Sequence, residues 1–130
     1  MNDRRDVTYA WIWLLTDYVR RDGFVPSCHG VIARIAPPVR VEDITHDVPP
    51  RDIRHGAAVL AQTVPYLPRS VVVGVVDPGV GTSRRAIALA AGEIILVGPD
   101  NGLLLWAADA VGGASAAVEL DEPGFLLNVS

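Results

Sequence analysis

The sequence predicts an α/β domain of three layers, in which helices cover a mainly parallel β-sheet. Short apolar runs alternate with stretches of helical periodicity along residues 10–120. This alternation of strand and helix requires crossover connections, which are right-handed and place the joined strands parallel. The 130 residues fit a single domain, residues 1–130, and a hydrophobic fraction of 50% is enough to build a buried core.

The first strand and helix occupy residues 10–35. Residues 10–16 are an apolar run of strand length, far too short to span a bilayer. Apolar side chains recur at helical spacing over residues 25–35, with Pro26 in the first turn, where proline is tolerated. Pro37 then prevents the helix from continuing, and residues 40–44 form a second, shorter strand.

The next unit is a helix followed by a strongly apolar strand. Asp52 is a suitable N-cap, and apolar residues recur at spacings of three and four over residues 53–67. Pro65 and Pro68 close this helix. Residues 71–76 are nearly all valine, the composition of a strand that is buried on both faces.

The last third of the chain contains three more strands and one helix. Residues 86–90 and 94–97 are apolar runs separated by a turn at Gly92. Residues 103–111 then form a helix, and residues 116–120 form a final strand.

Composition excludes several classes of function. The net charge is −4, and no basic stripe is present to neutralise phosphates, so neither nucleic acid nor a membrane is expected as a partner. All 11 basic residues are arginine, which excludes lysine Schiff-base chemistry and a Walker lysine. The single cysteine, Cys28, excludes an internal disulfide framework and is predicted to be a core thiol. The polar amino terminus lacks an apolar leader, so the cytoplasm is the expected location.

Three loops follow buried strands, after Leu15, Val76 and Val97. In open α/β sheets the ligand crevice lies at the carboxyl ends of the strands, so these loops are expected to converge there. Asp17 lies in the first loop, where a carboxylate either accepts the two hydroxyls of a ribose or caps a turn. Thr16 precedes Asp17, and a structural role as a strand residue is favoured for it over a role in binding.

Asp77 and Arg84 are the most informative pair. Asp77 follows the valine-rich strand directly, and Gly79 and Gly81 allow the backbone to turn tightly between the two charges. Two interpretations remain open for this pair. It is either an ion pair that holds a water molecule or a structural salt bridge.

Two other polar segments are less specific. Residues 43–47 hold two carboxylates, a hydroxyl and an imidazole, but their spacing fits no standard zinc motif, so turn capping is favoured and no metal site is predicted. His29 and His55 fall in helices and are expected to be solvated or capped.

Residues 98–102 have the composition of a turn, in which Asn101 either adopts a left-handed conformation or offers its amide to a ligand.

Taken together, four segments resemble a known family in order and spacing. They are Leu-Leu-Thr-Asp (residues 14–17), Asp-Ile-Thr-His (43–46), Val-Asp-Pro-Gly-Val-Gly (76–81) and Gly-Pro-Asp-Asn-Gly (98–102). The family is the adenosine-forming S-adenosyl-L-methionine hydrolases, also called hydroxide adenosyltransferases, relatives of the chlorinases and fluorinases. The resemblance implies that hydroxide attacks C5′ of S-adenosyl-L-methionine, which is a substrate here, and that no cofactor is needed.

The resemblance also implies catalytic roles. Asp77 and Arg84 correspond to two members of the family's water-activating Asp-Arg-His set. Known fluorinases carry a tyrosine where Asp77 stands and lack the arginine equivalent to Arg84, so hydrolysis is favoured over halogenation. A carboxylate repels halide and suits water.

The remaining implied roles concern the substrate and the assembly. Asp17 and Thr16 correspond to the ribose-binding segment, and Asn101 and Asp100 to the nucleoside-pocket loop. In the family, a histidine motif follows the segment that matches residues 125–130, and a β-rich second domain completes the pocket in a homotrimer. The chain is therefore expected to be the N-terminal domain without that second domain. The alternatives are a non-catalytic or decayed nucleoside-binding fragment and a halogenase relative.

Overall fold

The computed structural model describes residues 9–18, 23–76 and 85–120. Its strands are β1 (Trp11–Thr16), β2 (Arg40–Thr45), β3 (Ser70–Val75), β4 (Ala86–Ala91), β5 (Ile94–Pro99) and β6 (Ala116–Glu119). Its helices are α1 (Phe24–Ile35), α2 (Ile53–Thr63) and α3 (Leu105–Ala110). The α/β class and the order of elements predicted from the sequence are confirmed.

The sheet is mixed, with three parallel and two antiparallel strand pairs, so the predicted mainly parallel sheet is confirmed in part. Its strand order is β2-β1-β3-β5-β4-β6. The strands β2, β1, β3 and β5 run parallel, whereas β4 lies antiparallel to β5, and β6 antiparallel to β4. The reversal follows from the predicted turn, because Gly92 adopts a φ of +58° and closes a tight hairpin between β4 and β5.

Three elements have a boundary that differs from the sequence prediction by two residues or more. Helix α2 ends at Thr63 and continues as a 3₁₀ turn, Val64–Tyr66, because Pro65 has no N–H to donate. Strand β5 runs on through Pro99, which was expected in a loop. Helix α3 begins two residues late: residues 103–104 form a turn, in which the backbone N–H of Leu103 donates to the Asn101 side chain (3.0 Å).

The core lies between one face of the sheet and the helices α2 and α3. Leu15, Leu60 and Leu103 are each 0% exposed there. A Cβ atom on Gly56 of α2 would lie 3.0 Å from the Leu103 side chain and 3.2 Å from that of Val76. The missing side chain therefore lets α2 approach the end of β3 closely, which ties this helix to the carboxyl edge of the sheet.

Helix α1 lies over the opposite face, where Leu14 and Val73 point. An open apolar groove remains between α1 and these strands, and Cys28 lines it. Cys28 is half-buried, so the prediction of a core thiol is wrong. Burial, and then the negative charge of Asp43, raises the pKa of this thiol and favours its protonated form.

At the amino ends of the strands, aromatic packing dominates. The rings of Trp11 and Trp13 stack with their centroids 5.5 Å apart, and the Arg40 guanidinium lies 4.6 Å from the Trp11 ring. The indole Nε1 of Trp13 donates to Ser70 Oγ (3.0 Å), which joins β1 to β3. Across the described ranges, no helix has the length and apolar character needed to cross a membrane.

Candidate active site

The carboxyl ends of β1, β3 and β5 lie side by side, because β3 pairs with both of its neighbours. Hydrogen bonds join the loops that follow them. The backbone N–H of Asp17 donates to Val75 O (3.3 Å), and Asn101 Nδ2 donates to Val76 O (2.8 Å). Asp17 and Asn101 thus flank the end of β3, as the sequence predicted from strand order.

Asp17 is held by the loop that follows β2. Its Oδ2 accepts the backbone N–H of Arg51 at 2.8 Å, and the residue is half-buried. Arg51 has a φ of +65°, an uncommon conformation for a side chain of this size. Asp17 therefore caps a turn, as one of the two interpretations predicted. A carboxylate offers about four acceptor positions, so the bond to Arg51 leaves others available for the hydroxyls of a ligand.

Thr16 lies beneath the site and is only 5% exposed. Its Oγ1 lies 2.7 Å from Nδ1 of His46 and also accepts the backbone N–H of Tyr18 (3.2 Å). The side chain is thus engaged within the protein. Its implied contact with substrate stays a prediction.

Next to Thr16, two histidines contact the carboxylate of Asp43. His46 Nε2 lies 2.8 Å from Asp43 Oδ1, and His29 Nε2 lies 3.0 and 3.1 Å from the two Asp43 oxygens. Burial alone would raise the pKa of Asp43, but the hydrogen bonds from His29 and His46, together with their charges, outweigh it, and the pKa is lowered. Asp43 is therefore a carboxylate at neutral pH.

Sequence reasoning missed this arrangement. It assigned residues 43–47 to turn capping and His29 to a helix surface, whereas the structure joins His29, Asp43 and His46 into one hydrogen-bonded cluster. The only signal was the spacing of Asp43 and His46 just where β2 ends. Among the residues that the structure describes, no group of three or more His, Cys, Asp or Glu side chains is arranged to hold a metal ion.

Asn101 bridges two loops with both ends of its amide. Nδ2 donates to Val76 O (2.8 Å), and Oδ1 accepts the backbone N–H of Leu103 (3.0 Å). Of the two alternatives for Asn101, the left-handed conformation is not observed; Gly102 adopts it instead, with a φ of +92°. Asp100 is exposed, and its backbone N–H donates to Arg85 O (2.8 Å).

The predicted catalytic pair, Asp77 and Arg84, lies outside the described residues. The two flanks of that segment are described. Val76 is 0% exposed and bonded to Asn101, while Arg85 bonds to Asp100. The chain therefore leaves and re-enters the described fold on either side of the loop at residues 100–101.

An open groove lies beside Asn101. Its volume is about 270 Å³ between α2 and α3, just below the range of about 300–1,000 Å³ that is usual for small-molecule sites. Its lining is apolar apart from Arg54 and Asn101, and consists of Ile53, Arg54, Ala57, Asn101, Gly102, Leu105 and Trp106.

A family model described as the SAM hydroxide adenosyltransferase N-terminal domain matches residues 12–129. The chain belongs to this family. The matched range includes all four segments that carried the resemblance, and with them Asp77 and Arg84. Membership confirms the family predicted from the sequence.

Curated proteins of known name are similar over most of this chain. An (R)-S-adenosyl-L-methionine hydrolase from Salinispora arenicola is 69% identical over 116 residues, which are 89% of this chain and 44% of that protein. A fluorinase from an Actinoplanes species is 26% identical over 117 residues, covering 72% of this chain and 39% of that protein. The chain thus spans less than half the length of these curated relatives.

The fold also matches a solved structure. The crystal structure of a conserved hypothetical protein from Thermus thermophilus superposes with a TM-score of 0.78 at 41% identity. The superposition covers 89% of this chain and 48% of that one.

Proposed function

We propose that this chain forms the ribose-binding and water-activating part of an enzyme that hydrolyses S-adenosyl-L-methionine to adenosine and L-methionine. The observation that carries the proposal is the 69% identity to an (R)-S-adenosyl-L-methionine hydrolase across nearly the whole chain. The geometry supports it, because Asp17 and Asn101 lie together at the carboxyl edge where α/β sheets bind nucleosides.

In the proposed reaction, water attacks C5′ of the ribose in line with the sulfonium. A C5′–O bond forms as the C5′–S bond breaks, and the electron pair goes to sulfur, so L-methionine leaves as a neutral thioether. The proton lost by water passes to the Asp77–Arg84 set. Within that set Asp77 is the acceptor, because a guanidinium stays protonated at any physiological pH.

The positive charge on sulfur disappears in the transition state. A site shielded from water therefore favours the transition state over the fully charged ground state. Holding water and C5′ in line supplies a further large part of the rate, since it converts an encounter into an intramolecular step. Positioning of the ribose is thus central to the proposed mechanism.

Asp17 performs that positioning in this proposal. The Arg51 N–H fixes one carboxylate oxygen at 2.8 Å, and the Asp17 backbone is anchored to Val75, so the carboxylate has a defined direction before substrate arrives. Two acceptors on one rigid group match the two hydroxyls of a ribose. Such preorganisation limits the entropy lost on binding.

Hydrolysis is proposed rather than halide transfer because of one residue, Asp77. A carboxylate at position 77 disfavours a halide ion electrostatically and accepts a proton from water. The lower identity of the fluorinase, 26% against 69% for the hydrolase, supports the same choice.

The oligomeric state and location proposed for this protein are based on its resemblance to the family. We propose a cytoplasmic homotrimer in which a neighbouring subunit completes the pocket over the substrate, with neither nucleic acid nor a membrane as partner. The half-open groove beside Asn101, with Trp106 45% exposed on its rim, is compatible with a site that a further surface covers.

The proposal is tested by incubating the purified chain with S-adenosyl-L-methionine in ¹⁸O-labelled water and detecting adenosine by mass spectrometry. Any adenosine formed above the buffer background should carry ¹⁸O at its 5′ oxygen and should be lost in Asp77→Ala. Asp109→Ala removes an exposed carboxylate from α3 and is the matched control, expected to keep the activity.

Two results would count against hydrolysis by this chain. Adenosine formation that persists in Asp77→Ala would remove the proposed water-activating set. A folded chain that forms no adenosine but binds it would be a nucleoside-binding module, and halogenated nucleoside formed in chloride buffer would point to halide transfer.

A further inference from the structure

A continuous line of hydrogen bonds runs from helix α1 to the loop after β1. His29 and His46 both contact Asp43, at 3.0 and 2.8 Å. His46 then contacts Thr16 Oγ1 at 2.7 Å, and Thr16 Oγ1 accepts the Tyr18 backbone N–H at 3.2 Å. We call the side chains of His29, Asp43, His46 and Thr16 the His46 network.

When the His46 ring is neutral, the chemistry of the groups fixes the direction of each bond. Asp43 is ionised and can only accept, so Nε2 of His46 must carry the hydrogen that it donates to Asp43. Nδ1 of the neutral ring is then a bare acceptor. The Thr16 hydroxyl must donate to it, which leaves the hydroxyl oxygen to accept the Tyr18 N–H.

Burial makes this direction matter. Thr16 is 5% and His46 is 6% exposed, so water is poorly placed to replace either partner. Within the pair each donor meets an acceptor, and loss of one member leaves a buried polar group unpaired. The Thr16 hydroxyl therefore has one orientation as long as the His46 ring keeps its tautomer.

A bulge in β2 brings the network together. Asp43 pairs with Leu14 and Thr45 pairs with Leu15, so β2 has one extra residue, Ile44, between them. Residues three apart in a regular strand point to opposite faces, but the extra residue reverses this for Asp43 and His46. Bulges are frequent next to active sites, where they re-aim side chains.

The network ends on the backbone around Asp17. The bond from the Tyr18 N–H to Thr16 Oγ1 closes a turn with Asp17 at its centre. On either side, the Asp17 N–H donates to Val75 O (3.3 Å), and the Thr16 carbonyl accepts the Val48 N–H (3.4 Å). The orientation of the Asp17 carboxylate thus depends on the orientation of the Thr16 hydroxyl.

We propose that His46 is a positioning residue, which fixes the Asp17 turn through the Thr16 hydroxyl and so sets the direction of the carboxylate that binds the ribose. The ribose part rests on the proposed function. His46 itself touches no substrate, and Thr16 contributes by holding the turn rather than by contacting the ligand.

The test compares His46→Leu with His55→Leu, which makes the same change at an exposed histidine of α2. Amide hydrogen exchange is followed at Tyr18, and adenosine affinity is measured by calorimetry. We expect His46→Leu to speed Tyr18 exchange and to weaken adenosine binding, each by about tenfold, the value of one hydrogen bond. His55→Leu should match the wild type in both.

Thr16 variants guard against a simple folding defect. Thr16→Val keeps the shape of the side chain and should reproduce the loss, while Thr16→Ser keeps the hydroxyl and should restore both values. The double variant of Thr16→Val with His46→Leu should lose no more than Thr16→Val alone, because His46 acts through the Thr16 hydroxyl. Nitrogen NMR of the wild-type ring should show a bare Nδ1 and a protonated Nε2.

The proposal is overturned if Tyr18 exchange is unchanged in His46→Leu, if the two substitutions are additive, or if Nδ1 carries the hydrogen. These results are separate from failure of the proposed function. If the wild-type chain does not bind adenosine, the ribose assignment fails, while the exchange rates and the ring tautomer still decide whether His46 holds the turn.

Discussion

The two ends of the same parallel strands are built from different interactions. At the amino ends, the rings of Trp11 and Trp13 stack at 5.5 Å, and Trp13 donates one hydrogen bond to the Ser70 side chain. At the carboxyl ends, the side chains of Asp17 and Asn101 are bonded to backbone groups of neighbouring loops.

This difference separates stability from binding. Aromatic surface at one end contributes buried area, which is not directional. Polar side chains at the other end contribute direction, because each bond has a fixed donor and acceptor. Substitutions at the amino ends should therefore change the free energy of unfolding, and those at the carboxyl ends should mainly change ligand affinity.

The largest effect is expected for Gly98→Ala, which should disrupt the carboxyl edge of the sheet. A Cβ atom on Gly98 would lie 2.4 Å from the carbonyl oxygen of Gly74, so Gly98→Ala must separate β3 from β5. We expect the free energy of unfolding to fall by about 3 kcal/mol or more, a large fraction of the stability of such a domain. Urea unfolding is the measurement.

Gly30→Ala is the control for that substitution. Gly30 lies within α1, and nothing is within 4 Å of its Cβ position. Because alanine favours a helix, this variant should be as stable as the wild type or more stable by about 0.5–1 kcal/mol. Equal destabilisation by both variants would contradict the close approach of β3 and β5.

Trp13→Ala should give the next largest effect, confined to stability. Trp13 packs against the core and donates to Ser70, whereas Trp11 is outside the core cluster. We expect a loss of about 3 kcal/mol for Trp13→Ala and a smaller one for Trp11→Ala. Adenosine affinity measured on the folded fraction should stay unchanged, and a matching fall in affinity would show that the two ends are coupled.

Asp17→Asn should give the opposite pattern. The amide keeps the shape but loses the charge and one acceptor oxygen, so affinity for adenosine should fall by roughly tenfold to a hundredfold, the range of a charge-assisted bond. Unfolding free energy should change by less than about 1 kcal/mol, since the residue is half-buried. Asp109→Asn, an exposed change on α3, is the control and should alter neither value.

The smallest expected effect is on the stability of the fold at acidic pH. The pKa of Asp43 is lowered in the folded chain, so its ionised form stabilises the fold above the carboxylate's ordinary value, near 4, and this stabilisation is lost as the pH falls through the lowered pKa. Asp43→Asn removes that part of the pH dependence. Urea midpoints measured between about pH 5 and 2 should fall less steeply in Asp43→Asn than in Asp109→Asn; identical slopes would contradict the assignment.

Much of the fold could be predicted because its signals are local. The apolar run ending at Thr16, the N-cap at Asp52 and the turn at Gly92 each depend on a few adjacent residues, and each is found where expected. The loop before α3 depends on a contact from elsewhere in the chain. Asn101 bonds both to Leu103 and to Val76, at the end of β3.

The site was harder to predict than the fold. That Asp17 and Asn101 approach the same strand end follows from topology, and the sequence indicated it. The contact between His46 and Thr16 spans 30 residues and depends on a bulge at Ile44, which no local pattern announces. Side-chain networks that require an exact register cannot be predicted from spacing alone.

The most direct test of this account is to titrate adenosine into the ¹⁵N-labelled chain and map the amide shifts. We predict that the shifts cluster at the carboxyl edge, at Asp17, Asn101 and Gly102, and leave Trp11 and Trp13 unchanged. Shifts centred on the tryptophans, or spread evenly over the sheet, would contradict the claim that the carboxyl ends of the strands form the nucleoside site.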